Sequence, residues 1–287
     1  VDDILLASST VEAENFVADT ISKVVPTKTT GEVPVEGGSL TFIGRIIQRV
    51  ANADEFLLSV NPTYLDSTFR DFGIDKGSES VPDVASHLEK TMSDESSKKP
   101  LSSEAYGRFR RALGKLLWMS QVRHDLKTWL SIIGCHQAAP MAGTEAALRA
   151  VLRFLKSDMH VALTFPSRDP SLESQVGEMQ LRTMNLHCFS DASFALYRFN
   201  KRRGISGGCV FFERSLVRSL ARQQRALSLS SCESELYALQ SVCQESIAFG
   251  KLVHRVLFSL EEMDEADPVH VFLESDSSSA LQLVKAL

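Results

Sequence analysis

Met-Asn-Leu-His-Cys-Phe-Ser-Asp, residues 184–191, is the stretch whose reading decides the fold. Leu186 and Cys188 fall on one side and His187 and Phe189 on the other, the period-two alternation of a strand. The strand delivers a carboxylate, Asp191, and is expected to stop at Ala192-Ser193. Two further acidic stretches lie downstream. In Ser230-Ser231-Cys232-Glu233-Ser234-Glu235-Leu236-Tyr237-Ala238 the serines precede an apolar-periodic run, which predicts a helix start with Glu235 in or near its first turn. Residues 269–276, Val-His-Val-Phe-Leu-Glu-Ser-Asp, predict a second apolar strand, ending in Asp276. Strand-Asp, helix-Glu and strand-Asp are elements able to converge on one end of a sheet. Three converging carboxylates repel and raise one another's pKa unless cations intervene. Hard oxygen ligands of this kind suit magnesium. Two magnesium ions roughly 3.5–4 Å apart clamp the attacking and leaving oxygens of a phosphodiester.

The order and setting of these acids resemble the ribonuclease H fold, in which the first Asp ends strand one, the Glu opens the first helix and the second Asp ends strand four. The local words resemble those of the Pol polyprotein of copia-type LTR retrotransposons. Ser190-Asp191-Ala192-Ser193-Phe194-Ala195 is similar to that family's SDADWA, and Arg202-Arg203-Gly204-Ile205-Ser206-Gly207 to its RRSTSG. Residues 230–238 are similar to its SSTEAEYMA, and the strand ending Glu274-Ser275-Asp276-Ser277 follows in family order. The resemblance implies that Asp191, Glu235 and Asp276 are the catalytic and metal-binding carboxylates. Asp191 would bridge two Mg2+ ions, Glu235 and Asp276 would each complete a shell, and water would attack RNA in an RNA–DNA hybrid. Glu233 is the rival for Glu235, which is preferred because it immediately precedes Leu-Tyr-Ala, as the family's Glu precedes its Tyr. Glu274 is the rival for Asp276 but lies two positions upstream, further from the sheet end.

At 287 residues the chain is long enough for two domains, with 44% apolar and 23% charged residues, ordinary for a globular protein. No apolar run approaches a membrane span and no signal peptide is seen, so no membrane partner is expected. The five cysteines are scattered with no CxxC pair, which reads as core thiols rather than a zinc site or disulfide framework. Net charge is −5, against a nucleic-acid binder, but residues 198–225 carry eight Arg and Lys against one acid, Glu213. A basic patch beside a carboxylate cluster is expected where a polyanion meets bound cations; Arg202, Arg203, Arg218 and Arg222 are its candidate phosphate-binding residues. The alternative is a solvated charged hairpin. The resemblance implies a cytoplasmic location, within a virus-like particle, or a nuclear one.

The predicted fold class is α/β (α+β): a reverse-transcriptase palm end and helical thumb/connection, then a ribonuclease H-like mixed sheet with flanking helices. By resemblance, residues 1–74 are the end of the palm. Asp2 and Asp3 would belong to a YVDD hairpin and bind metal, and Phe42-Ile43-Gly44-Arg45-Ile46-Ile47-Gln48-Arg49 resembles FLGIxIxR. A helix is expected over residues 9–24, with Val11, Phe16, Val17 and Ile21 on one side. Residues 75–103, rich in serine with Gly77, Pro82 and Pro100, read as a linker. Residues 104–180 read as the helical thumb and connection, with Trp118 and Trp129 in the core and His124 as a helix-end surface residue. Residues 161–165 predict a short strand and 167–178 a polar linker. Residues 181–287 read as the ribonuclease H-like domain, whose first helix buries Leu236, Leu239, Cys243 and Ile247. Val217-Arg218-Ser219 stands where the family has ISW, and the loss of the aromatic leaves the packing of that face open. The fold's fourth carboxylate would lie past Leu287 and the first palm Asp before Val1, so the chain is expected to be a fragment of a larger RNA-directed DNA polymerase, inactive by itself, its partners an RNA–DNA hybrid and the rest of a Pol polyprotein. Two alternatives stay open: a non-catalytic decayed copy that retains the fold, and a nucleic-acid-binding or interaction module that borrowed it.

Overall fold

The computed structural model describes residues 4–7, 10–34, 36–51, 53, 55–166, 184–257 and 269–286. Among these, eight α-helices and two four-stranded sheets make a mixed fold of the α+β class. No helix among the described residues is long and apolar enough to cross a membrane.

The first sheet has the order β1 (Gly38–Phe42), β2 (Arg45–Arg49), β3 (Phe56–Val60), β4 (Leu163–Phe165), all antiparallel. Ile43 and Gly44 both take positive φ in the two-residue turn between β1 and β2, the handedness that matches strand twist. A helical layer covers this sheet: α2 (Asp66–Asp71), α3 (Val84–Ser93), α4 (Ser103–Met119), α5 (Lys127–Gly134) and α6 (Ala142–Ser157). Phe109, Leu113 and Leu116 of α4 and Leu148, Val151, Leu152 and Leu155 of α6 recur at helical spacing and are buried together. Trp118 and Trp129 pack on the edge of that core.

Several expectations change here. Residues 75–103 are not only a connection: Asp83 caps α3, and Val84, Leu88 and Thr91 are buried. Gly143 of α6 permits the close approach, since a Cβ there would lie 2.4 Å from Thr91 Cγ2. Residues 1–74, 75–103 and 104–180 are therefore not three separate packing units, because Val60, Leu88, Leu113 and Leu148 share one core and β4 pairs with β3. Helix α1 (Val11–Ser22) forms, with Thr10 as its cap, but its apolar face is not covered: Val11 is 67% and Phe16 72% exposed. Asp2 and Asp3, and the linker expected at 167–178, lie outside the described residues; residues 4–7 carry no strand.

The second sheet has the order β7-β6-β5-β8. Strand β5 (Met184–Ser193) is central, antiparallel to β6 (Ile205–Phe212) and parallel to β8 (Val269–Ser275); β7 (Ser215–Gln223) pairs with β6. Helix α7 (Ser231–Leu257) crosses one face and α8 (Ser278–Lys285) follows β8. Leu186 and Cys188 are buried and Phe189 is exposed, as the alternation predicts. On α7 the buried stripe is Ala238, Leu239, Val242, Ser246 and Val253, whereas Ile247 is exposed, rotating the expected face. Gly208 of β6 sets this phase, because a Cβ there would lie 2.2 Å from Val242 Cγ2.

The absent aromatic on β7 has a counterpart across the junction. Ser219 is buried, its Oγ lies 2.6 Å from His124 Nδ1, and its carbonyl accepts from Lys127 Nζ at 2.6 Å. His124, in the 3-10 turn His124–Leu126, is thus half-buried against β7 rather than a surface residue. Burial, with Lys127 and Arg218 adding to it against Asp125, pushes its pKa down to about 4. A histidine depressed when folded takes up fewer protons than the unfolded chain, so its stabilisation is present above about pH 6.5 and lost as pH falls toward 4. His87 and His136 are shifted the same way by burial. In His124→Gln the loss of Tm between pH 7 and 4.5, followed by calorimetry, should shrink by roughly 2–4 °C, the shift that ~1 kcal/mol produces in a domain of 150–250 residues.

Candidate metal centre

Asp191 lies near the end of β5, opposite Gly207 of β6. The parallel register Ser190↔Ser275 carries Asp276, the residue after β8, to the same sheet end. Ser277 then caps α8 through Ala280 N–H, which ends the strand there. β7 finishes at this end too, since Ile205 pairs with Gln223, and the chain turns from it into α7. The start of α7 is therefore held beside both aspartates.

Two glutamates compete at that helix start, and local capping separates them. Ser230 Oγ accepts from Glu233 N–H at 3.1 Å, while Glu233 Oε2 accepts from Leu229 N–H at 2.7 Å and Oε1 from Tyr237 OH at 3.3 Å. This is a capping arrangement in which both Glu233 oxygens are engaged. Glu235, two residues on, projects elsewhere. One carboxylate oxygen each from Asp191, Glu235 and Asp276 lies within 4.8 Å of the others. Glu274 stays outside the cluster, on the sheet surface 3.6 Å from His187 Nδ1.

The electrostatics are those of crowded anions. Glu235 has a raised pKa, first from desolvation, then from Asp191, with Asp276 adding to it; a hydrogen bond from Ala192 N–H works in the opposite direction. Its Oε2 is buried with no hydrogen-bond partner, although buried polar atoms are nearly always paired. A carboxylate with an orphaned oxygen, grouped with two further carboxylates, fits a divalent cation with oxygen preference. This acidic triad is able to hold a metal ion.

The basic patch divides into two parts. Arg218 Nε donates to Glu245 Oε2 at 3.0 Å and an Arg222 terminal nitrogen to Oε1 at 2.7 Å, so both clamp β7 to α7. Those guanidiniums hold the Glu245 carboxyl below its ordinary pKa despite burial. Arg202 and Arg203 lie exposed in the β5–β6 connection, at the same sheet end as the triad, and Arg202 donates to the Ala195 carbonyl at 3.4 Å. Comparisons with models of known protein families, with curated proteins and with solved structures each return no match.

The raised pKa of Glu235 has a signed consequence. A carboxylate raised on folding contributes stability below its ordinary pKa of 4.5, which is lost as pH rises through the folded value. Without divalent cations, Glu235→Gln should therefore raise Tm at pH 7, and the gain should vanish below about pH 4.5. Added Mg2+ should raise the Tm of the parent and leave that of the variant nearly unchanged.

Proposed function

We propose that this chain carries the ribonuclease H part of a copia-type retrotransposon Pol protein and hydrolyses the RNA strand of an RNA–DNA hybrid with Mg2+. The observation that carries this reading is the carboxylate trio on strand, helix and strand, seated in a sheet whose strands, numbered within it, run 3-2-1-4. The antiparallel three-strand meander and the fourth strand parallel to the first, reached through a helix, set strand-Asp, helix-Glu and strand-Asp in the order of the resemblance, which supports the reading. Residues 38–165 would then belong to the polymerase side of the same polyprotein, with the helical layer as its thumb and connection.

Asp191, Glu235 and Asp276 would hold the ions. Magnesium, when bound, neutralises the developing charge on the phosphodiester and favours deprotonation of the attacking water. By the resemblance Asp191, on the strand paired with β8 and packed under α7, would be the carboxylate shared by both ions. The Ala192 N–H donates to the Glu235 carboxylate, while Glu235 Oε2 stays buried without a partner. Arg202 and Arg203 supply positive charge to the hybrid's phosphates, while Arg218 and Arg222 serve chiefly to hold α7.

A magnesium-dependent assay on a labelled RNA–DNA hybrid tests the chemistry. Any cleavage is expected to be confined to the RNA strand. Asp191→Asn, which keeps size and removes charge, should lower it at least a hundredfold, the scale on which a reacting group misplaced by ~1 Å loses rate. Hybrid binding without cleavage in the parent chain would favour the non-catalytic binding module instead.

Affinity should also fall steeply with salt as counterions are released. Replacing Arg202 and Arg203 together by Ala should flatten the log–log salt slope by about two, close to 0.9 per phosphate contact. Replacing Arg218 and Arg222 should lower Tm and change that slope little. A double Arg202/Arg203 variant with the parental slope would return this loop to plain solvated surface.

A further inference from the structure

A buried amide ties the start of α7 to the strands that carry the aspartates. Gln224 follows β7 directly and is only 6% exposed. Its Nε2 donates to Ser206 Oγ at 3.0 Å and to the Ser234 carbonyl at 2.9 Å. Its Oε1 accepts from Ser228 Oγ at 2.8 Å and from Ser234 Oγ at 3.1 Å. Both donors and both acceptor sites of the amide are therefore used. The backbone joins in: Gln224 N–H donates to the Gly204 carbonyl at 2.8 Å, and Ile205 N–H to Ser193 Oγ at 3.1 Å. Ser234 Oγ also lies 3.4 Å from the Ser193 carbonyl. Gly204 leaves room for the knot, since a Cβ there would lie 2.5 Å from Gln224 Oε1 and 2.6 Å from Ser234 Oγ.

The residues of this network are neighbours of the candidate ligands. Ser234 precedes Glu235, Ser193 lies two residues after Asp191, and Ser206 pairs with Ala192. We propose that Gln224 is the positioning residue of the carboxylate site, setting the separation between the first turn of α7 and the end of β5, and hence that of Glu235 from Asp191. The proposal rests on the cation-holding reading of the trio. Apolar packing alone leaves a helix free to slide by fractions of an ångström along the sheet, because it has no direction. Four directed hydrogen bonds from one planar group do not allow that slide, and inside a protein a fully satisfied network of this kind is rigid.

The test measures binding of Mn2+, as the probe, to the full chain by titration calorimetry, with Tm recorded alongside. The parent should bind Mn2+ in a manner abolished by Asp191→Asn. Gln224→Met, similar in length but without hydrogen bonds, should weaken Mn2+ binding about tenfold or more. Val253→Ala, which opens the α7–β8 core away from the site, supplies the control: it should lower Tm as well, yet bind Mn2+ within about twofold of the parent. If Gln224→Met does not fold, Ser234→Ala removes one hydroxyl of the network and should weaken binding by a smaller factor, again beyond the control. Mn2+ affinity in Gln224→Met or Ser234→Ala no lower than in Val253→Ala overturns the positioning role while leaving the metal centre standing. Mn2+ binding by the parent that is absent, or indifferent to Asp191→Asn, overturns the metal centre itself and the positioning role with it.

Discussion

Parallel pairing between β5 and β8 is the constraint on which the candidate site depends. Parallel strands need a crossover connection, and α7 lies within it, packed on β5, β6 and β8. Two strands that run the same way end at the same sheet edge, which brings Asp191 and Asp276 together. The antiparallel hairpin β5–β6–β7 returns the chain to that edge before α7 begins, so Glu235 arrives there as well. An antiparallel β8 would send Asp276 to the far end, whatever its local sequence.

The fold holds these acids against their own repulsion. Glu235 is raised by desolvation and by its two neighbours, and a buried oxygen lacks a partner. Glu245, on the same helix, shows the opposite arrangement: two arginines surround it and hold its pKa down. One helix thus carries a carboxylate that fastens it to the sheet and another that is left in tension. The fastening comes from Arg218 and Arg222, the Gln224 network, and the apolar contact of Val242 with Gly208. A cation at the trio would relieve the tension without altering the fold.

The two sheets are joined through polar groups and through apolar side chains that enter the first core. Ser219 admits His124 and Lys127, Glu89 accepts from the Arg198 N–H at 2.8 Å, and Phe199 is buried in the first core. Arg123, almost fully buried, binds Asp125 and Asp158 and fixes the 3-10 turn to the end of α6. Asp125 and Asp158 are partly exposed, so the cost of losing either falls on the buried Arg123 guanidinium, left short of a partner.

What the sequence by itself determined is local. Alternation over residues 184–191 and 269–275 is enough for strands, and Thr10 and Ser277, each ahead of a helical run, are enough for two caps. The three acids were legible because each sits at the end of such an element. The tertiary structure alone decided what depends on a distant partner. Helix α3 is stable through α6, about 60 residues away, and serines in the surrounding segment hide its short apolar face. The exposure of Ile247 follows from where Gly208 lets α7 settle, and a helical run of apolar residues is ambiguous by one position without that neighbour. Arg218 and Arg222 read as free charge until Glu245 lies across from them, and Glu233 equals Glu235 until the cap consumes it. Periodicity reports which face a residue lies on, whereas pairing across a sheet or onto a helix is a long-range event that the chain specifies only when folded.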